Sequence, residues 1–269
     1  MSYRTMEATM RVTMIGRAAC AVVASLLLAA GSAGAQQEVG ARVAAVRDGT
    51  VHLSFAARPG VCGNGRNIQS GGSRGAGERE WEHDCEPGPV HVSLGVKEGA
   101  VTSVRAYVGG RWRAGGTATD LGTVSAPAAA RYLLQLAERG QGRVARDAIL
   151  PATLADSVTV WPDLLRLARD DARPRDVRKQ AVFWVGQAAE SAATAGLDEL
   201  ATSDADREVQ ESAVFALSQR PKHEGVPALM RIARTSRDPQ LRKKALFWLG
   251  QSDDPRALAL FEELLARTP

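Results

Sequence analysis

The chain has little of what usually announces chemistry. Its 269 residues include only three cysteines, four histidines and 5% aromatics. There is no H-E-x-x-H and no phosphate-binding loop. Serine, histidine and aspartate are all present, but in no diagnostic arrangement, so no catalytic residue and no cofactor is assigned. Charge of one sign is also missing. A formal net charge of +4 on a chain with 34 basic and 30 acidic residues marks no concentrated basic surface, and nucleic acid is not an expected partner. Long hydrophobic runs are absent too. The longest, residues 18–30, falls well short of the roughly 20 residues a spanning helix needs.

That short run has a pattern of its own. Arg4, Arg11 and Arg17 precede it, and Ala33-Gly34-Ala35 follows as a small-x-small cleavage signal. Residues 1–35 therefore read as a bacterial secretory signal peptide, which places the mature chain in the periplasm or outside the cell, with no membrane insertion after cleavage. Cys20 lies within this segment, which leaves Cys62 and Cys85. Two cysteines in an oxidising compartment read as one disulfide. Closing that loop is worth roughly 3 kcal/mol on the chain-entropy account.

Residues 36–125 read as a small antiparallel β domain of four to five strands. Val51, Leu53 and Phe55 alternate with His52 and Ser54, and Val90, Val92, Leu94 and Val96 alternate with His91 and Ser93. Val104, Ala106 and Val108 repeat the pattern. Asp48-Gly49, after Val43-Ala44-Ala45-Val46, and Glu98-Gly99 both read as hairpin turns. A Gly-rich tract between Pro59 and Pro89 includes GGSRGAG, and the disulfide would pin its ends. The run Glu82-His83-Asp84-Cys85-Glu86 carries metal-ligand letters, but one histidine and two cysteines do not make a zinc knuckle, and the disulfide reading prevails with no metal expected. His52 and His91 fall on the polar face of their strands and read as a surface pair.

Residues 126–269 obey a different rule. RKQAVFWVGQ from Arg178 returns as RKKALFWLGQ from Arg242, with VQESAVFALSQ between them from Val209. Ala181, Ala213 and Ala245 stand 32 apart (213 − 181 = 32), as do Phe183, Phe215 and Phe247, and Gln187, Gln219 and Gln251. Leu165, Leu197, Leu229 and Phe261 keep the same step. Two helical segments per fixed period are the signature of an α-solenoid, in which each helix pair buries its apolar stripe only against its neighbour. Asp206 and Asp238 are placed as N-caps. Gly186 and Gly250 stand where left-handed C-caps are common. VARDAILPAT from Val144 reads as a degenerate first unit, and residues 127–138 as a helix capping the array against the β domain.

VRKQAVFWVG, VQESAVFALS and LRKKALFWLG resemble the V-R-x-x-A-x-x-A-L-G pattern of short bacterial HEAT repeats, a group that includes the phycobilin lyase subunits. With the alternating region before it, the chain reads as an α+β two-domain protein and as a monomer. The resemblance, which covers residues 127–269, implies that the solenoid binds another protein or peptide, as a scaffold without chemistry of its own. It implies that the second helices line a groove, which makes Arg166, Arg169, Arg231 and Arg234 the expected contacts for an acidic partner. Phe183, Phe215 and Phe247 are the other expected protein-binding residues, although packing between units accounts for such a ladder as well. Trp184 and Trp248 read as core. The Gln ladder reads as hydrogen bonding to loop backbone. Arg178, Lys179, Arg242, Lys243 and Lys244 read as a solvated face. A small-ligand or metal-binding envelope sensor using the β domain is the alternative function, and a lyase-like enzyme a weaker third.

Overall fold

A computed structural model describes residues 39–70, 85–111 and 117–266. The signal-like segment, GGSRGAG, His83 and Gly115-Gly116 lie outside the described residues. Residues 39–44 are helical (α1). Then follow β1 (Gly49–Phe55), β2 (Val61–Asn64), β3 (Asn67–Ser70), β4 (Glu86–Pro87), β5 (Val90–Lys97), β6 (Ala100–Val108) and β7 (Thr119–Thr123). The helical array comprises α2 (Ala126–Arg139), α3 (Gly142–Thr153), α4 (Trp161–Arg169), α5 (Arg175–Gly186), α6 (Ala192–Ser203), α7 (Arg207–Ser218), α8 (Val226–Thr235), α9 (Pro239–Gly250) and α10 (Pro255–Ala266). Among the described residues no helix is long and apolar enough to cross a membrane.

The strands form a four-stranded sheet in the order β6-β5-β1-β7 and a three-stranded sheet in the order β3-β2-β4. All pairings are antiparallel except β1 with β7. Period-two alternation fixes which face is buried. Val51, Leu53, Phe55, Val90, Val92, Leu94 and Val96 all point into the core. Burying one such side chain contributes roughly 1.5–3 kcal/mol. The β5–β6 turn is the hairpin expected at Glu98-Gly99, with φ of 54° and 77°. The hairpin expected at Asp48-Gly49 does not form, because Val43 belongs to α1. Val39 and Val43 stand four apart, one helical turn, and both are buried. The Asp48 carboxylate instead accepts from the Glu98 amide at 3.1 Å. Cys62 and Cys85 are bonded, with Cα atoms 5.2 Å apart, which ties β2 to the start of β4.

The helix packed most extensively on the sheet is α3, against β6, rather than the segment 127–138. Ala145, Ala148, Ile149, Pro151 and Ala152 are its buried residues, and the small alanines suit a helix packed on α2 and α5 as well as on the sheet. Segment 127–138 falls in α2, which packs on α3 and meets α1 at Tyr132. Backbone bonds from Arg58 to Leu154 and from Asp156 to Ala56 join the end of α3 to the end of β1. A single apolar cluster runs from the sheet into the array.

Within the array the caps at Asp206 and Asp238 form as expected, accepting from the amides of Glu208 and Gln240. Gly186 and Gly250 are not left-handed caps. Their helices close on Gln187 and Gln251, whose φ values of −87° and −93° are right-handed. Gly186 is small for packing: a Cβ there would stand 2.9 Å from the Ala216 Cβ of α7.

Candidate functional site

The helices after the sheet fall into two rows. An even row comprises α2, α4, α6, α8 and α10, and an odd row α3, α5, α7 and α9. Each row is stitched laterally by ion pairs between neighbours.

All four expected groove arginines lie on the even row, and all four are already matched. Arg166 of α4 reaches Glu138 of α2 at 2.8 Å and Asp163 at 2.7 Å. Arg169 of α4 pairs with Glu199 of α6, and Arg231 of α8 with Asp198 of α6. Arg234 of α8 pairs with Glu263 of α10 at 2.7 Å. Exposed pairs of this kind contribute only about 0–1 kcal/mol each, but they cancel the field an acidic partner would follow. The four residues form an internal charge ladder rather than an open basic groove.

The odd row presents the Phe ladder at its surface. Phe183 is 36% exposed and Phe247 57% exposed, and Phe215 is half-buried. Trp248 lies between Phe215 and Phe247, with ring centroids 5.0 Å from each, and Phe183 sits edge-on to Trp184 at 5.2 Å. Trp184 and Trp248 are half-buried against the core rather than within it, and the Trp184 indole N–H is buried with no hydrogen-bond partner among the described residues. Between α5 and α7 an open groove of about 380 Å³ is lined by Phe183, Phe215, Gln180, Arg175, Lys179 and Glu208, among others. Its charges are balanced. Arg175 donates to Asp206 and Glu208, and Lys179 to Glu208 at 2.9 Å. The Arg175 bond holds the Asp206 carboxyl below its ordinary range, and the bonds from Lys179 and then Arg175 do the same for Glu208. Two further large apolar side chains, Leu258 and Leu265, are exposed on α10.

Two arginines have roles the spacing did not reveal. Arg178, expected on a solvated face, is buried; it donates to the Ala168 carbonyl at 2.8 Å and pairs with Asp204. Of the others in that set, Lys244 pairs with Glu211 at 2.6 Å and Arg242 donates to the Ser236 carbonyl at 2.7 Å. Arg220 has a fully buried side chain. It donates to the carbonyls of Ala188 and Glu190, to Thr194 and to Glu224. It thus does the loop-tying work expected of the Gln ladder, whose members are exposed C-caps. Ala188 and Ser252 occupy the equivalent positions in the neighbouring units, so periodicity carries no trace of Arg220.

On the sheet, the β1–β5 register sets His52 opposite Ser93 and His91 opposite Ser54, which puts both histidines on the polar face. Burial depresses the His91 pKa, with nearby His52 acting in the same direction and Asp120 opposing it. Among the described residues no group of three His, Cys, Asp or Glu side chains is placed to hold a metal ion. A catalytic reading has one foothold in sequence, Gly71-Gly72-Ser73-Arg74-Gly75, with the G-x-S-x-G spacing. It lies outside the described residues. The strand before it, β3, is a four-residue edge strand in an antiparallel sheet rather than a central strand feeding a helix.

No curated protein matches the chain. The family profile of HEAT repeats matches residues 162–247 and 195–269, a span that runs from α4 through α10. With that match lying on the stacked helices just described, residues 162–269 are an array of HEAT repeats.

Proposed function

We propose that the protein is an exported, monomeric, non-catalytic scaffold that holds a partner protein on the odd row of its solenoid. HEAT repeats generally mediate protein–protein contacts, and the family is generally non-catalytic. The observation that carries the choice of surface is the aromatic stripe Phe183, Phe215 and Phe247 beside an electroneutral groove. An even row of matched charges offers a partner little beyond exchange of one ion pair for another. Half-exposed aromatics offer desolvation of large apolar area at small cost in side-chain entropy. The partner segment therefore presents apolar or aromatic side chains with little net charge. Repeat stacking pre-organises the surface, which lowers the ordering cost of binding. Export rests on the arginine-flanked apolar run and the Ala33-Gly34-Ala35 signal.

The test is cross-linked capture from the native envelope fraction. It compares the wild type with two folded variants, Phe183→Ser/Phe247→Ser and Arg166→Gln/Arg169→Gln/Arg231→Gln/Arg234→Gln. The reading expects one protein recovered by the wild type and the arginine variant and lost from the phenylalanine variant. Loss from the arginine variant alone would move the surface to the even row. N-terminal sequencing of the exported form checks cleavage after Ala35, and an uncleaved cytoplasmic chain would overturn export.

A further inference from the structure

The 32-residue period allows each step of the array to be compared with the next at equivalent positions, and two successive steps are built differently. From the α4–α5 pair to the α6–α7 pair, both ends of the junction are tied by buried cations. At one end Arg178 on α5 donates to the Ala168 carbonyl at 2.8 Å and pairs with Asp204 after α6. At the other end Arg220 after α7 ties down the α5–α6 loop through Ala188 and Glu190, and the first turn of α6 through Thr194. In between, Gly186 and Ala216 bring α5 and α7 into close approach.

One period on, every one of these residues has changed. Gln210 stands in place of Arg178 and Ser236 in place of Asp204, and there an open cavity of about 380 Å³ is lined by Gln210, Ser236, Thr202, Arg231 and Arg237, among others. Ser252 stands in place of Arg220, and a second cavity of about 160 Å³ is lined by Ser252, Ser218, His223 and Val226, among others. The loops at that end are held by two longer contacts, Ser252 Oγ with His223 Nδ1 at 3.3 Å and Arg256 Nη2 to the His223 carbonyl at 3.3 Å. Ser218 and Trp248 replace Gly186 and Ala216, and α7 packs less extensively on α9 than on α5. Surface ion pairs span both steps alike: Arg175 to Glu208 at 2.8 Å in the first and Arg207 to Asp238 at 3.3 Å in the second. The difference lies in the buried ties. Open volume alone does not separate the two steps, since the groove of about 380 Å³ between α5 and α7 lies in the first. The second step has no buried cation at these equivalent positions, and so lacks the bonds that would resist rotation there.

We propose that the step from α6–α7 to α8–α9 is a hinge built into the solenoid, beside a locked step from α4–α5 to α6–α7. The locked step fixes Phe183 relative to Phe215, and the hinge lets Phe247 swing with α9. The mechanical inference stands without the partner-binding reading. Its use, a fixed half and an adjustable half of one aromatic stripe, rests on that reading.

The test is native-state hydrogen exchange on the full chain, which needs no partner. Amides of α8 and α9 exchange through a partial opening that leaves α5 and α7 protected. The variant Gln210→Arg/Ser236→Asp copies the locked junction into the hinge, and slows that exchange about tenfold without changing α5. Uniform exchange of α5 through α9 by global unfolding alone would overturn the hinge. So would unchanged exchange in the folded double variant, because the opening would then be ordinary fraying of an array end. If that variant does not fold, the reciprocal Arg178→Gln/Asp204→Ser decides the matter. It spreads fast exchange to α4 and α5 if the buried pair is the lock, and leaves the pattern unchanged if it is not.

Discussion

The even and odd rows of helices alternate along one array, yet they end with opposite surfaces. On the even row, arginines from α4 and α8 find carboxylates on α2, α6 and α10, so a row rich in charge carries little free charge. On the odd row the charges also balance, but phenylalanines remain at the surface beside them. Counting arginines along the chain selects the first surface as the partner site. Pairing them in three dimensions leads to the second, the surface proposed above. An exposed charge says little about recognition until its partner is known, whereas an exposed aromatic retains its apolar area to offer.

The largest expected effect comes from the seam beneath both rows. Arg220→Met removes a buried guanidinium and strands the carbonyls of Ala188 and Glu190, at a cost of about 3 kcal/mol in the urea unfolding of the array. If the loss is below about 1 kcal/mol, the loops are held by something else. Next in size is Gly186→Ala, which acts on the odd row alone. The new methyl meets Ala216 at 2.9 Å, and overpacking of that kind costs about 1–3 kcal/mol. Ser218→Ala, at the equivalent position one period on, stays within about 0.5 kcal/mol and serves as the control. Neutralising one even-row cation, Arg231→Gln, costs less than about 1 kcal/mol, and a larger loss would mean that the ladder carries stability as well as balancing charge. The smallest effect is acidic. Asp206 and Glu208 have carboxyl pKa values depressed below 3.8 and 4.5 by Arg175 and Lys179. Their stabilising effect is therefore complete above those ordinary values and is lost as pH falls through the lower folded ones. Carboxyl-carbon titration by NMR reads the midpoints directly, and midpoints at or above 3.8 and 4.5 would remove these pairs from the odd row.

Much of this architecture is legible in the sequence, and the residues show why. Ala181, Ala213 and Ala245 repeat because every helix pair faces the same packing problem, and Asp206 and Asp238 repeat because each helix start needs an acceptor. Strand alternation at Val51 to Phe55 follows from the two faces of a sheet. What escaped depends on distance or on exception. Glu199 completes Arg169 from the neighbouring even-row helix, 30 positions along the chain, and no local pattern marks it. Arg220 is an exception within the period, so the regularity that reveals the fold conceals it. Val39 to Val46 mixes apolar and small residues at spacings compatible with either element. The burial of Val39 and Val43 on one face of α1 settles what the letters leave open.

The claim that the odd row is the recognition surface is tested most directly by site-specific photo-crosslinking. A photoreactive side chain is placed in turn at Phe183, Phe247, Arg166 and Arg231 in the full chain, expressed in its native cells. The account predicts an adduct with one and the same protein from positions 183 and 247 and none from 166 or 231. Adducts from 166 and 231 alone, or from none of the four positions, would contradict it.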